Sequence, residues 1–348
     1  MKKLGFSRLA VVSLFAVGLS VPVHAHAGGC GCVPISLPVG DQYKAHIPGQ
    51  MRLGYSFMFS DTDHYFIGTE RQDGPGETEE TVAPSTLGRD NTLSVEYDLP
   101  RKFTIGMAIP FIHTEQAREF GGVRGTMEAG GLGDVRVFGR YWLKDNPVGF
   151  GLYTSLGARL PTGESDKQFE AQNGSMVNQD LAAQAGTGNF AGLVEIGGAT
   201  FFAQRFGFSF TSRYVFTPSE TSGPNFRNQL TGNGPAENSD ADTFTTRLGI
   251  STPLATEESP LQRVAVHANF DLAWIPDDDL FGGSEGFRRA GTILALGPGV
   301  SYSPLDPLTL SAAVPFTLYR DVRLNGGNVQ DWTVQFGLSW NAYTPSPF

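Results

Sequence analysis

The chain has 348 residues, with 25 Lys and Arg against 35 Asp and Glu and a net charge of −10. That acidic balance argues against a nucleic-acid partner, whose phosphates call for a basic face. Mean hydropathy is −0.15, which excludes a bundle of transmembrane helices but not a transmembrane β-barrel, whose strands alternate lipid-facing and lumen-facing residues.

Residues 1–27 carry Lys2, Lys3 and Arg8, then an apolar run over 9–23, then Ala25-His26-Ala27. A basic start, a short apolar stretch and an A-x-A site mark a secretory signal peptide. Cleavage near Ala27 delivers an exported chain that is more acidic still. Beyond it no run of about twenty apolar residues exists to span as a helix. Residues 28–48 read as a periplasmic or lumen-plugging segment. It holds Cys30 and Cys32, the only cysteines, in GGCGC. A disulfide across one residue is strained. The readings left open are no specialised role, a soft-metal site for an ion such as Cu(I) or a redox role, pairing with another chain, and lipidation at Cys30.

From residue 51 the sequence alternates. In MRLGYSFMF, Met51, Leu53, Tyr55, Phe57 and Phe59 share one face and Arg52, Gly54 and Ser56 the other. TLSVEYDL sets Leu93, Val95 and Tyr97 against Ser94, Glu96 and Asp98. After a turn at Leu99-Pro100-Arg101, KFTIGMAIPFI keeps Phe103, Ile105, Met107, Ile109 and Phe111 in register. GLGDVRVFGRYWL sets Val135, Val137, Gly139, Tyr141 and Leu143 against Asp134, Arg136, Phe138, Arg140 and Trp142. The pattern continues through FGLYTSLGARLPTG, FAGLVEIGGATFF, FGFSFTSRYVF, FTTRLGIST, RVAVHANFDLAW, GTILALGPGVSY, LTLSAAVPFTLY and DWTVQFGLSW. A period of two is that of a strand with two different faces.

These segments predict about twelve strands of roughly ten residues, enough to cross a bilayer when tilted. The connections alternate too. Those near 100, 145, 205, 257 and 305 are short, and those over 60–88, 114–130, 162–187, 217–241, 275–288 and 321–330 are long and polar. Short periplasmic turns and long external loops are the asymmetry of an outer-membrane barrel. Tyr97, Tyr141, Trp274, Tyr302, Trp332 and Trp340 lie near strand ends, as interfacial aromatics do. A soluble β-sandwich also alternates, but strand length and aromatic placement favour the barrel. The expected fold is all-β, a transmembrane antiparallel up-and-down β-barrel over 49–341 with a C-terminal tail over 342–348. Closure is what lets one strand face lipid and a wet lumen without an open edge.

Strand parity places Arg52, Glu96, Asp134, Arg136, Arg140, Arg159, Glu195, Arg213, Arg247, Arg263, His267 and Asp271 in the lumen, with Phe138, Trp142, Tyr153 and Tyr319 among them. Such charges either neutralise one another and brace the barrel or set an electrostatic filter for solutes. Arg outnumbers acid on this face, which favours anionic head groups mildly. Aromatics among charges suit an amphipathic or aromatic solute better than a bare ion. The loops are acidic, as at Glu77, Glu79, Glu80 and the run Asp277-Asp278-Asp279. They read as a solvated surface or as divalent-cation sites at the lipopolysaccharide layer. The one G-x-S-x-G match, Gly282-Gly283-Ser284-Glu285-Gly286, falls in the long loop over 275–288 rather than at a strand-to-helix turn, and no serine stands at triad-like spacing from His46, His64, His113 or His267. The chain therefore reads as a non-enzyme without a cofactor.

Two motifs carry a family resemblance. Gly131, Gly133 and Asp134 open one strand, and Leu160-Pro161-Thr162-Gly163 closes the next. Here the chain resembles the outer-membrane family labelled "MetA-pathway of phenol degradation", which is similar to the long-chain fatty-acid uptake channels. The resemblance implies a passive channel for small hydrophobic or aromatic solutes in the outer membrane of a Gram-negative bacterium. The fatty-acid channels close their lumen with an N-terminal hatch, for which residues 28–48 are the counterpart. The expected partners are outer-membrane lipid and lipopolysaccharide, the small-molecule solute, and the barrel-assembly machinery, which reads a C-terminal aromatic such as Trp340 or Phe348. The alternative places the function in the Cys-Gly-Cys segment.

Overall fold

The computed structural model describes residues 46–62, 64–72, 85–120, 123–145, 150–170, 176–178, 184–202, 206–221, 239–255, 259–283, 290–305 and 307–343. Twelve strands form the wall: β1 (Gln50–Thr62), β2 (Ser85–Leu99), β3 (Phe103–Phe120), β4 (Arg136–Lys144), β5 (Gly151–Arg159), β6 (Ala191–Phe202), β7 (Phe206–Phe216), β8 (Thr243–Pro253), β9 (Val264–Ile275), β10 (Gly291–Leu305), β11 (Leu308–Ala313, continuing after a break as Phe316–Asn328) and β12 (Trp332–Tyr343). Each pairs antiparallel with the next, and β12 returns to β1 from Gln50↔Tyr343 to Asp61↔Trp332. The sheet is thus a closed antiparallel barrel of twelve strands, as the alternation predicts. Among the described residues there is no α-helix, only a 3-10 turn at Pro260–Arg263.

The two faces behave oppositely to those of a soluble protein. Leu53, Leu93, Ile105, Leu156, Ile196, Phe208, Ile250, Phe336 and Trp340 project outward and are exposed. Arg52, Glu96, Asp98 and Arg140 point inward, each at most 1% exposed. Charges bury and apolar side chains face out only where the outer medium is lipid.

The structure refines several sequence expectations. The predicted loop over 114–130 is a hairpin. β3 runs on to Phe120 and pairs with Val123–Leu132, from Phe111↔Leu132 to Phe120↔Val123. GLGDVRVFGRYWL is consequently divided: Gly131 and Leu132 end that hairpin, and β4 starts only at Arg136. The last strand continues past Trp340 to Tyr343, opposite Gln50. Arg263 is exposed in the 3-10 turn rather than in the lumen, and its guanidinium donates to the Pro304 carbonyl. Tyr319 is also exposed. The β10–β11 register slips between Leu294↔Tyr319 and Ala295↔Thr317, and one added residue flips side-chain parity.

β11 breaks at Val314-Pro315. Proline has no N–H to give to a ladder, yet the neighbours stay tied. Val314 N–H donates to the Pro298 carbonyl at 3.0 Å, and the Pro315 carbonyl accepts from Thr333 N–H at 2.9 Å. Beyond the break, β11 leaves β12 and pairs with the short strand Tyr65–Gly68. That detour seats Phe66 and Val329 against Ala273, Ile275, Ile293, Ala295 and Val322, an apolar cluster at the long-loop end of the lumen.

Candidate functional site: the lumen

The short-turn end of the lumen is a charged layer built on β1–β4. Arg52 Nε lies 3.2 Å from Glu96 Oε2, while its two terminal nitrogens reach Asp98 at 2.8 and 2.5 Å. Strand pairing makes this inevitable: Glu96 is the cross-strand partner of Arg52, and Asp98 is its diagonal neighbour two residues on. Asp98 also accepts from the Thr104 hydroxyl at 2.6 Å, which in turn accepts from Trp142 Nε1 at 3.1 Å. His46 closes this end. It is buried, its Nε2 is 2.8 Å from the Leu99 carbonyl, and its ring lies 6.4 Å from that of Trp142.

The layer continues across the wall. Arg140 reaches Glu96 at 3.3 Å and Glu195 at 3.7 Å, and it sits 4.4 Å above the Tyr153 ring. Glu195 also accepts from Arg213, with Nε at 2.7 Å. Arg136, Arg140, Ser155, Glu195 and Arg213 border a small pocket with Phe138. On β8 and β9, Arg247 forks onto Asp271 at 2.6 and 2.9 Å. At the long-loop end Arg159 joins Asp134, at 3.7 Å, to Asp240. Asp134 itself accepts from Gly163 N–H at 3.0 Å and from the Thr187 amide and hydroxyl at 2.9 and 2.8 Å. Burial pushes the Asp240 carboxyl above its ordinary value, and the Arg159 guanidinium opposes that shift.

Of the sixteen sequence-predicted lumen residues, Arg52, Glu96, Asp134, Arg136, Arg140, Trp142, Tyr153, Arg159, Glu195, Arg213, Arg247, His267 and Asp271 are buried in the structure, Phe138 is half-buried, and Arg263 and Tyr319 are exposed. Their charges meet mainly as Arg–carboxylate pairs rather than as a surplus of Arg. Sequence reasoning left Asp98, Thr104, Asp90 and Asp240 out of the site. The parity of TLSVEYDL already marks Asp98 inward. Asp240 stands in a predicted loop, where no periodic pattern could place it.

Between Arg52 at the short-turn end and Arg320 at the long-loop end, the opposite wall carries no such charge among the described residues. β10, β11, β12 and β1 turn Gly297, Gly299, Ser311, Gln335, Gly337, Ser339 and Ser56 inward. The lumen therefore has one side rich in Arg–carboxylate pairs and one side of mostly small neutral residues. Cys30 and Cys32 lie outside the described residues, as do Glu77, Glu79 and Glu80. Among the described residues no group of three His, Cys, Asp or Glu is placed to hold a metal ion. Asp277 pairs loosely with Arg323 at 3.6 Å, and Asp279 accepts from Asp242 N–H at 2.8 Å, so part of that acidic run is used to fasten loops.

Twelve antiparallel strands closed on themselves, apolar outside and charged inside, define a transmembrane β-barrel of the outer-membrane type. Among solved structures the chain is similar to the COG4313 outer membrane channel from Pseudomonas putida F1, with a TM-score of 0.63 and 10% identity over 88% of this chain and 100% of that one. It is more distantly similar to the β domain of the Bordetella autotransporter BrkA, with a TM-score of 0.47 and 14% identity over 84% and 100% of the two chains. A third is the CymD monoaromatic hydrocarbon channel, with a TM-score of 0.43 and 11% identity over 86% and 89%. At these identities the shared property is the fold. No family model and no curated protein matches the sequence.

Proposed function

We propose that the protein is an outer-membrane channel for the passive uptake of small hydrophobic or aromatic solutes, acting without chemistry or energy coupling. The observation that carries this reading is the character of the lumen surface. An apolar collar around Phe66, Ile275, Ile293 and Val329 stands at the long-loop end beside the Arg159–Asp134–Asp240 pairs, and along the wall Arg and carboxylate groups largely compensate one another. A wall of mostly paired charges has little net field, so a bare ion gains little from it, and the apolar collar offers contact to an apolar molecule. The similarity in fold to an outer-membrane channel supports the location and the transport class. The signal peptide supports export after cleavage near Ala27. Membrane lipid, lipopolysaccharide and the assembly machinery follow as partners from that location. The phenol-degradation family label and the hatch-like role of residues 28–48 belong to the same proposal.

The test is conductance and solute uptake by the refolded mature chain in lipid bilayers and liposomes. Uptake of toluene with small ionic conductance supports the reading. A large steady ionic conductance makes it a general pore, and silence to both ions and toluene overturns the transport claim.

A further inference from the structure

One hydrogen-bonded row of the barrel runs His267 (β9), Gly299 (β10), Ala313 (β11), Gln335 (β12), Met58 (β1), each the cross-strand partner of the last. All of these side chains face the lumen. The two smallest residues stand between the two polar ones. The His267 ring reaches over Gly299, so that a Cβ at that position would overlap Nε2 and Cε1. His267 and Gln335 are 6% and 3% exposed. Among the described residues, His267 Nε2 and both amide atoms of Gln335 have no hydrogen-bond partner.

This arrangement differs from that of Arg52, Arg140, Arg213 and Arg247, each of which meets a carboxylate. A buried polar atom without a partner forfeits the hydrogen bond it made to water, and here three such atoms flank one apolar floor. From Gly299 to Gln335 is two strand spacings, about 10 Å. That span suits one small molecule lying on Ala313 with its rim against Met58. Its body must be apolar, to match the Ala313 methyl and the Met58 thioether. Its ends must both give and take hydrogen bonds, because a carboxamide offers donor and acceptor and an imidazole nitrogen is one or the other. It must not be an anion, because Asp90 follows Met58 in the same row.

We propose that His267 and Gln335 form a lumen subsite for an uncharged, hydroxyl-bearing molecule with an apolar body. The subsite rests on the channel reading and specifies which solutes pause inside. Its function is to make passage of an apolar alcohol saturable while a plain hydrocarbon passes without binding.

The experiment uses the refolded mature chain, with benzyl alcohol, toluene and benzoate as probes and saturation-transfer NMR as the binding readout. Toluene uptake in liposomes is measured in parallel. The variants are Gln335→Leu and His267→Phe, which keep shape and remove hydrogen bonds. The heat-dependent gel shift of folded barrels reports that each has folded. The expected result is saturable benzyl alcohol binding to the native chain, at least tenfold weaker in either variant, with benzoate not bound and toluene uptake present in the native chain. Equal binding in the native chain and in a folded variant overturns the proposal, as does the absence of saturable binding to the native chain. Loss of toluene uptake in the native chain, with benzyl alcohol binding intact, sinks the channel reading and leaves the subsite standing.

Discussion

Arg52 grips Asp98 at two points, Nη1 to Oδ2 at 2.8 Å and Nη2 to Oδ1 at 2.5 Å, with both side chains fully enclosed inside the barrel. The same carboxylate accepts from Ile47 N–H at 2.9 Å. Asp98 thus ties together β1, β2 and the chain just ahead of β1. Replacing it by Ala leaves Arg52 with Glu96 as its remaining carboxylate and strips the acceptor from Ile47. Removing one partner of a buried pair costs about 3–5 kcal/mol. Asp98→Ala is therefore expected to lower the urea midpoint for unfolding from bilayers clearly, with Asp98→Asn intermediate. An unchanged midpoint in Asp98→Ala would show that the fork does not brace the wall.

Glu195 balances two cations at once, Arg213 and Arg140. Glu195→Gln keeps the shape and leaves a net positive charge beside Arg140 and Arg213. At an effective dielectric constant of about 20, one uncompensated charge at close range is worth a few kcal/mol. The expected outcome is a shift of the anion-to-cation permeability ratio toward anions, on the order of tenfold. Reversal potentials across a salt gradient measure it. A ratio identical to that of the native chain would mean that ions do not pass this layer.

The strand register explains why the barrel was legible in the sequence and the site only partly so. Leu93, Val95 and Tyr97 against Ser94, Glu96 and Asp98 already carry the two media in their alternation, and each such strand does so independently. Parity therefore places Arg52, Glu96 and Arg140 inside without knowledge of any neighbour. Which acid meets which base depends instead on the stagger between strands. Arg159 finds Asp240, which lies 81 residues away in a loop. Tyr319 shows the converse failure. A local slip in the ladder reverses parity, and the residues around it, Phe316 to Arg320, carry no mark of the slip.

Gly106 and Phe138 are cross-strand partners on β3 and β4, and the ring lies over the glycine. A Cβ at Gly106 would come 2.6 Å from Phe138 Cε1 and 2.9 Å from Cε2. The ring is itself held near the guanidinium of Arg140, 5.3 Å from its centre. Gly106→Ala must therefore displace Phe138, and overpacking of this kind costs about 1–3 kcal/mol. Gly106→Ala combined with Phe138→Leu is expected to recover part of that loss. Thermal midpoints of the refolded single and double variants are the check, and additive losses would argue against the ring as the obstacle.

Asp331 joins two residues of the outer collar, His64 and Arg320, and Arg320 lies 4.4 Å above the Phe66 ring. Burial pushes the Asp331 carboxyl up, but hydrogen bonds from Arg320 and His64 outweigh it and hold the group below its ordinary value. A carboxyl depressed in the folded state stabilises fully above its unfolded value, and that contribution is lost as pH falls through the folded one. The collar is therefore expected to stay intact from neutral pH down to the ordinary carboxylate range. Below that range Asp331 protonates and releases Arg320, and Phe66 loses its clamp. Asp331→Asn should bring that loosening to neutral pH. The check is limited proteolysis of the long-loop end across a pH series, comparing the native chain with Asp331→Asn. The difference in cleavage between the two should be large at neutral pH and vanish in strong acid. A difference constant at every pH would show that the Asp331 charge does not hold the collar.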